Sequence, residues 1–168
     1  SFFMFADQNL MGPNLSLIAA DFDMIDVKDQ YLGGLIPLVF WILGGIVALF
    51  IGYCADIMSR KNLFVFIVFI GEIPCLLSGF ADTYIDFFIM RALTGIGIGG
   101  IIPLTYSLLG DLYSANERIK VITLIGLASG LGIASGQLVA GIMGDSVGWR
   151  LPFILFALPN FILGIIFF

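Results

Sequence analysis

Charged side chains divide the chain into long apolar runs. Residues 30–55 and 121–144 carry no charge, 62–81 carry Glu72 alone, and 87–110 carry Arg91 alone. Two further runs, 1–20 with Asp7 and 151–168 without charge, complete a series of six. Each is close to the ~17–25 apolar residues that a helix needs to cross a bilayer. The pattern therefore predicts transmembrane helices over about 1–22, 31–55, 62–81, 85–110, 119–144 and 151–168. Prolines 13, 37, 74, 103 and 159 fall inside these spans. In a membrane helix a proline more often bends the axis than breaks it, so curved helices around a cavity are expected.

Composition excludes a soluble alternative. The chain is 60% hydrophobic and 11% charged, against roughly 45–50% apolar in soluble domains. A cleaved secretory leader would leave a polar mature protein, whereas here the apolar runs continue to both ends. SFFMFADQ and NFILGIIFF begin and stop within apolar sequence, so flanking residues are expected beyond each. The absence of histidine removes imidazole metal ligation, haem ligation and Ser-His nucleophiles. Cys54 and Cys75 lie inside spans, where packing is their expected role, and two cysteines make no metal cluster. No catalytic, metal or cofactor site is expected, and no nucleic-acid partner.

Charge becomes informative when sorted by side. The turns 56–61 and 111–120 hold Arg60, Lys61, Arg118 and Lys120. The opposite set, 21–30, 82–86 and 145–150, holds Lys28 and Arg150 among seven aspartates. Cytoplasmic loops retain the excess of Lys and Arg, which predicts a multi-pass protein with the first set and both termini in the cytoplasm. Glycines four apart, Gly95 with Gly99, Gly126 with Gly130, and Gly132 with Gly136, let helix backbones approach closely in lipid. Such glycines serve either packing or a substrate site.

One pattern occurs twice. GYCADIMSRKNLF from Gly52 matches GIMGDSVGWRLPF from Gly141 at a constant offset, pairing Gly52 with Gly141, Asp56 with Asp145, Lys61 with Arg150 and Phe64 with Phe153. Three spans separate the copies, so they fall on opposite sides of the membrane. That is the trace of two three-helix units with inverted topology, a build found in secondary transporters.

These residues resemble the major facilitator superfamily, and the resemblance covers the whole chain as the amino-terminal six-helix half of a twelve-helix fold. The family signature G-x3-D-[RK]-x-G-R-[RK] is similar to Gly52, Asp56, Arg60 and Lys61, with Ile57 in place of a basic residue and Ser59 in place of glycine. MRALTGIGIGG, with Arg91, Gly95 and Gly97, resembles the family's helix 4 pattern, and VGWRLPF its usual entry into helix 6. In physical terms Gly52 admits a neighbouring helix, Asp56 can accept hydrogen bonds at a helix N-terminus, and Arg60 with Lys61 hold the loop in the cytoplasm. The resemblance implies a latch against a carboxy-terminal half; the residues alone also fit a simple helix stop.

Asp7, Glu72 and Arg91 lie within spans, where an ionisable group costs at least ~2.5–3.5 kcal/mol and is usually paired or facing water. Helical spacing puts Asp7 and Asn14 on one face of helix 1, and Arg91, Ile98, Ile102 and Thr105 on one face of helix 4. The resemblance implies that both helices line the central cavity. Arg91 can hold carboxylate or phosphate with two parallel hydrogen bonds; Asp7 is a proton carrier or the counter-charge of Arg91; Glu72 is a buried, hydrogen-bonded acid or a proton site. FADQNLMGPNLSLIAADFDM and RALTGIGIGG are further similar to spinster-like members, which carry lysolipids, although Ile98 replaces their usual glutamate. The helix 5 stretch GLASGLGIASGQ lacks the G-P pair of drug–proton antiporters.

The function expected is secondary active or facilitative transport of a small organic or amphipathic anion, a lysolipid among the candidates, with proton coupling an option. The partners are that substrate, the bilayer and a carboxy-terminal half. A non-transporting receptor or assembly module on the same fold is the alternative. An intramembrane enzyme would need a second midplane aspartate, and none is visible.

Overall fold

The computed structural model describes residues 2–167, and among these every regular element is helical. The first predicted span is divided. Helix α1 (Phe2–Gln8) stops where Asn9 to Asn14 turn through Gly12 and Pro13, and α2 (Leu15–Asp21) resumes after them. A single helix over 1–22 is thus corrected to two short ones. Proline lacks an amide proton and clashes with the preceding turn; beside Gly12 it ends the helix where a bend was expected.

A 3₁₀ turn (Ile25–Val27), the three-residue α3 (Lys28–Gln30) and a π-helical segment (Tyr31–Leu35) lead into α4 (Ile36–Ile57). Then follow α5 (Arg60–Ser78), α6 (Tyr84–Leu112), α7 (Ala115–Val147) and α8 (Arg150–Phe167). Four of the helical stretches, Ile25–Ile57, α5, α6 and α7, are long and apolar enough to cross a membrane, while α8 is shorter. The expected series of six uniform spans is therefore four long ones, a shorter eighth helix and a divided first segment. Local chemistry sets the starts. The Thr83 hydroxyl accepts from the Asp86 amide to open α6, and Ser114 with Glu117 forms a reciprocal capping box on α7.

Contacts between helices follow the two-unit pattern. The second long helix of each unit lies against the first helix of the other, α4 on α6 and α7 on α1, while the third helices, α5 and α8, pack together. Exchanging the units leaves this set unchanged, as inverted repeats require. Glycine makes both seams. A Cβ on Gly95 would strike the Phe40 backbone, and one on Gly99 the Gly44 backbone; a Cβ on Gly132 or Gly136 would strike the backbone of Phe2 or Ala6. On the other side of α6, Gly97 meets the Gly71 backbone of α5.

The core has two apolar parts. One gathers Leu10, Ile18, Leu32, Phe87, Trp149 and Phe153; the other gathers Met4, Phe40, Leu63, Ile67, Ile98 and Leu104. Between them, at Arg91 on α6 and Glu72 on α5, lies a layer of buried polar side chains.

Candidate functional site

Three helices deliver ionisable groups to that layer. Asp7 from α1, Glu72 from α5 and Arg91 from α6 are each no more than 2% exposed. Asp7 and Glu72 are close enough across the α1–α5 contact for their carboxyls to interact. From α8, Asn160 Nδ2 donates to Glu72 Oε1 at 2.5 Å. Both Asp7 oxygens and Glu72 Oε2 are buried and have no well-formed hydrogen bond among the described residues.

Arg91 is held by groups other than carboxylates. Its Nη2 donates to the main-chain oxygen of Asp7 at 3.4 Å, and its Nη1 approaches Cys75 Sγ at 3.7 Å. The guanidinium carbon lies 5.3 Å from the Phe153 ring centre and 5.7 Å from that of Phe40, inside the cation–π range. Just past the end of α1 the Asp7 carbonyl accepts the Leu10 amide at 3.4 Å, and Arg91 adds a second donor to the same oxygen. The Asp7 side chain and Arg91 interact electrostatically without a direct ion pair; the ion pairs found among the described residues are Arg60–Asp111 and Arg150–Asp21.

Two clefts flank α1. One, of 270 Å³, runs between α1, α4 and α6 and is lined by Gln8, Asn9, Pro37, Phe40, Trp41 and Arg91. The other, of 170 Å³, runs between α1, α6 and α7 and is lined by Phe5, Ile102, Thr105, Tyr106, Gly126 and Ser129. The first is polar with a cationic wall, and the second is apolar with three hydroxyls. Arg91 and Thr105, expected on one helix face, therefore open into different clefts. The Thr105 hydroxyl is tied to the Ile101 carbonyl at 2.7 Å.

Asn14 does not share a face with Asp7, because the helix that would have aligned them ends between them. It is buried at the start of α2, with Nδ2 3.5 Å from the Leu10 carbonyl and its side chain filling the space that a Cβ on Gly144 would need. Gly95, Gly97 and Gly136 lie in helix contacts, whereas nothing approaches within 4 Å of a Cβ at Gly126 or Gly130. Gly126 borders the second cleft instead. Among the described residues, Gly126 and Gly130 pack against no neighbouring helix.

In the turn of the opening repeat, Arg60 pairs with Asp111 at the end of α6 and reaches the Ser107 carbonyl at 3.5 Å. Gly52, Asp56 and Lys61 are exposed, and a Cβ at Gly52 would meet nothing within 4 Å, so no helix of this bundle uses the close approach it was expected to permit. At the opposite end, Arg150 does more than open a helix. It pairs with Asp21 at 2.6 Å, donates to the Ala81 carbonyl at 2.9 Å and lies 4.4 Å from the Trp149 ring centre, joining α2, the α5–α6 turn and α8.

Sequence reasoning missed Asn160 and gave Cys75 only a packing role. A lone asparagine in an eighteen-residue apolar helix was a signal, since such residues in lipid usually find a partner on a neighbouring helix. Nothing in the spacing pointed to Glu72 as that partner.

The sequence model of the Major Facilitator Superfamily matches residues 1–168. Multidrug resistance protein 3 of Bacillus subtilis is 32% identical over 61% of this chain and 20% of its own length. A putative metabolite transport protein of Haemophilus influenzae is 27% identical over 93% of this chain and 37% of its own. Citrate exporter 1 of Yarrowia lipolytica is 32% identical over 91% of this chain and 22% of its own. The chain thus spans between a fifth and two fifths of the length of these relatives.

Proposed function

The chain belongs to the Major Facilitator Superfamily, and from that premise we propose that it is the substrate-binding amino-terminal half of a transporter that moves a small organic or amphipathic anion by alternating access. The observation that carries this reading is Arg91. A cation buried at the depth of the apolar core lines an open cleft, and no described carboxylate is within ion-pair distance of it. A guanidinium stays charged in such a site and presents a fork that fits a carboxylate or phosphate. Gln8, Asn9 and the Trp41 indole add polar edges around it. The adjoining cleft of Phe5, Ile102 and Tyr106 suits an apolar portion of the same substrate, which keeps lysolipids within the class. Names among the relatives include a citrate exporter and a benzoate transport protein beside multidrug and basic amino acid transporters, so the anionic part of this reading rests on Arg91.

In this reading the turn carrying Gly52, Asp56, Arg60 and Lys61 faces a carboxy-terminal half at the cytoplasmic side. The exposure of Gly52 and Asp56 supports that role. The test is uptake of candidate anions by the full-length protein in proteoliposomes, with and without a pH gradient. Arg91→Lys keeps the charge but loses the fork, and is expected to lower uptake at least tenfold while thermal stability changes little. Unchanged uptake in this variant would remove Arg91 from the substrate site.

A further inference from the structure

We propose that Asp7 and Glu72 form a proton-binding site, in which one proton is shared between the two carboxyls and bridges α1 to α5. This inference does not depend on the transport reading or on what the clefts carry.

The argument begins with the charges that face each other in the layer. Helix α1 contributes Asp7, α5 contributes Glu72 and the thiol of Cys75, and α6 contributes Arg91. The neighbouring side chains from α8, Asn160 and Phe153, and from α4, Phe40, carry no charge. Two carboxylates and one guanidinium leave the group one negative charge in excess, all of it within the apolar core. Uncompensated charge there is costly, and one added proton removes the excess.

Hydrogen bonding leads to the same count independently. Of the four carboxyl oxygens, Glu72 Oε1 takes the amide of Asn160, while Asp7 Oδ1, Asp7 Oδ2 and Glu72 Oε2 have no well-formed hydrogen bond among the described residues, the Cys75 thiol being a weak neutral donor near Asp7. Buried polar atoms in folded proteins are nearly always paired. Two ionised carboxyls within reach of each other are both acceptors and cannot bond. A proton on one converts the pair to an O–H donor facing an O⁻ acceptor, a short and strong arrangement. The balance is simple: two carboxylates and H⁺ give one carboxylic acid hydrogen-bonded to one carboxylate. Arg91 does not supply that hydrogen bond: its Nη groups are directed to the Asp7 carbonyl and the Cys75 sulfur, and its Nε–H, itself without a partner among the described residues, does not reach a carboxyl oxygen.

Position separates this site from the clefts. Neither Asp7 nor Glu72 lines the Arg91 cleft or the Thr105 cleft. Asn160 instead borders a third, apolar cavity of 390 Å³ between α1, α5 and α8, lined also by Met4, Val68 and Leu163. The pair therefore lies outside the lining of the proposed substrate path and is joined to it through Arg91.

The site is read directly by infrared difference spectroscopy on the full-length protein at neutral pH. The carbonyl-stretch band of a protonated carboxyl is expected in the wild type and is expected to vanish in both Asp7→Asn and Glu72→Gln, because either change leaves one carboxylate balanced by Arg91. Absence of the band from both difference spectra overturns the proposal. A loss in Glu72→Gln with retention in Asp7→Asn also overturns it, since the proton would then reside on Glu72 alone. If either variant fails to fold, Asn160→Leu serves in its place. It keeps both carboxyls and removes only the donor to Oε1, so the band is expected to persist at a shifted frequency, and an absent or unshifted band counts against the site. Uptake measurements are not involved, so failure here leaves the transport reading to its own test.

Discussion

Helices α6 and α7 are both long and both rich in glycine, yet they are packed in different ways. The apolar window of α6 is 56% buried, that of α7 only 11%. Helix α6 lies between two neighbours. Gly95 and Gly99, one turn apart, face α4, while Gly97 and Gly100 point to the other side and meet α5. Helix α7 is a rim helix. Gly132, Gly136 and Gly144 face α1 and α2, and Gly126 and Gly130 face open space. Glycine content is thus no measure of packing; what matters is how many helix faces have a neighbour.

Three substitutions test this contrast, in order of falling effect. Gly99→Ala places a methyl against the Gly44 backbone, which no side-chain rotation can relieve. Overpacking of this kind costs ~1–3 kcal/mol, and the midpoint of thermal unfolding of the full-length protein is expected to fall accordingly. A normal midpoint would mean that α4 and α6 can separate freely. Gly136→Ala meets the Ala6 backbone in the same way, but α7 has a single packed face and room to move outward. Its loss is expected to be smaller than that of Gly99→Ala in the same assay, and an equal loss would erase the distinction between a central and a rim helix. Gly130→Ala should stay within about 0.5 kcal/mol of wild type, as surface substitutions do. A clear destabilisation would show that this face of α7 is covered in the complete protein.

Much of the fold was legible because lipid imposes simple rules. Apolar runs of spanning length with at most one charge located α4 to α8 to within a few residues, since a backbone in hydrocarbon must bond within its own helix. The first span was misread because that rule permits interruption where protein or a cavity meets the break, as α7 at Pro13 and the Arg91 cleft at Met11 do here, and a run of apolar letters does not record it. The buried ions were equally visible as exceptions to the apolar pattern. Their partners were not, because Asp7, Glu72, Arg91 and Asn160 belong to four different helices and no local spacing joins them. The pairing of Asp7 with Asn14 failed for the same reason as the first span: helical periodicity was extended through a turn.

The division of the first segment has a mechanical consequence. Its inner rod, α1, is held to α6 through Arg91 and to α7 through Gly132 and Gly136; its outer rod, α2, is pinned at Asn14 to Gly144 and at Asp21 to Arg150. A six-residue elbow at 9–14 connects them, and two of its residues, Asn9 and Met11, form part of the wall of the Arg91 cleft. Rotation of one rod against the other would be absorbed at that elbow without breaking a helical hydrogen bond, and it would reshape the cleft mouth as it occurred.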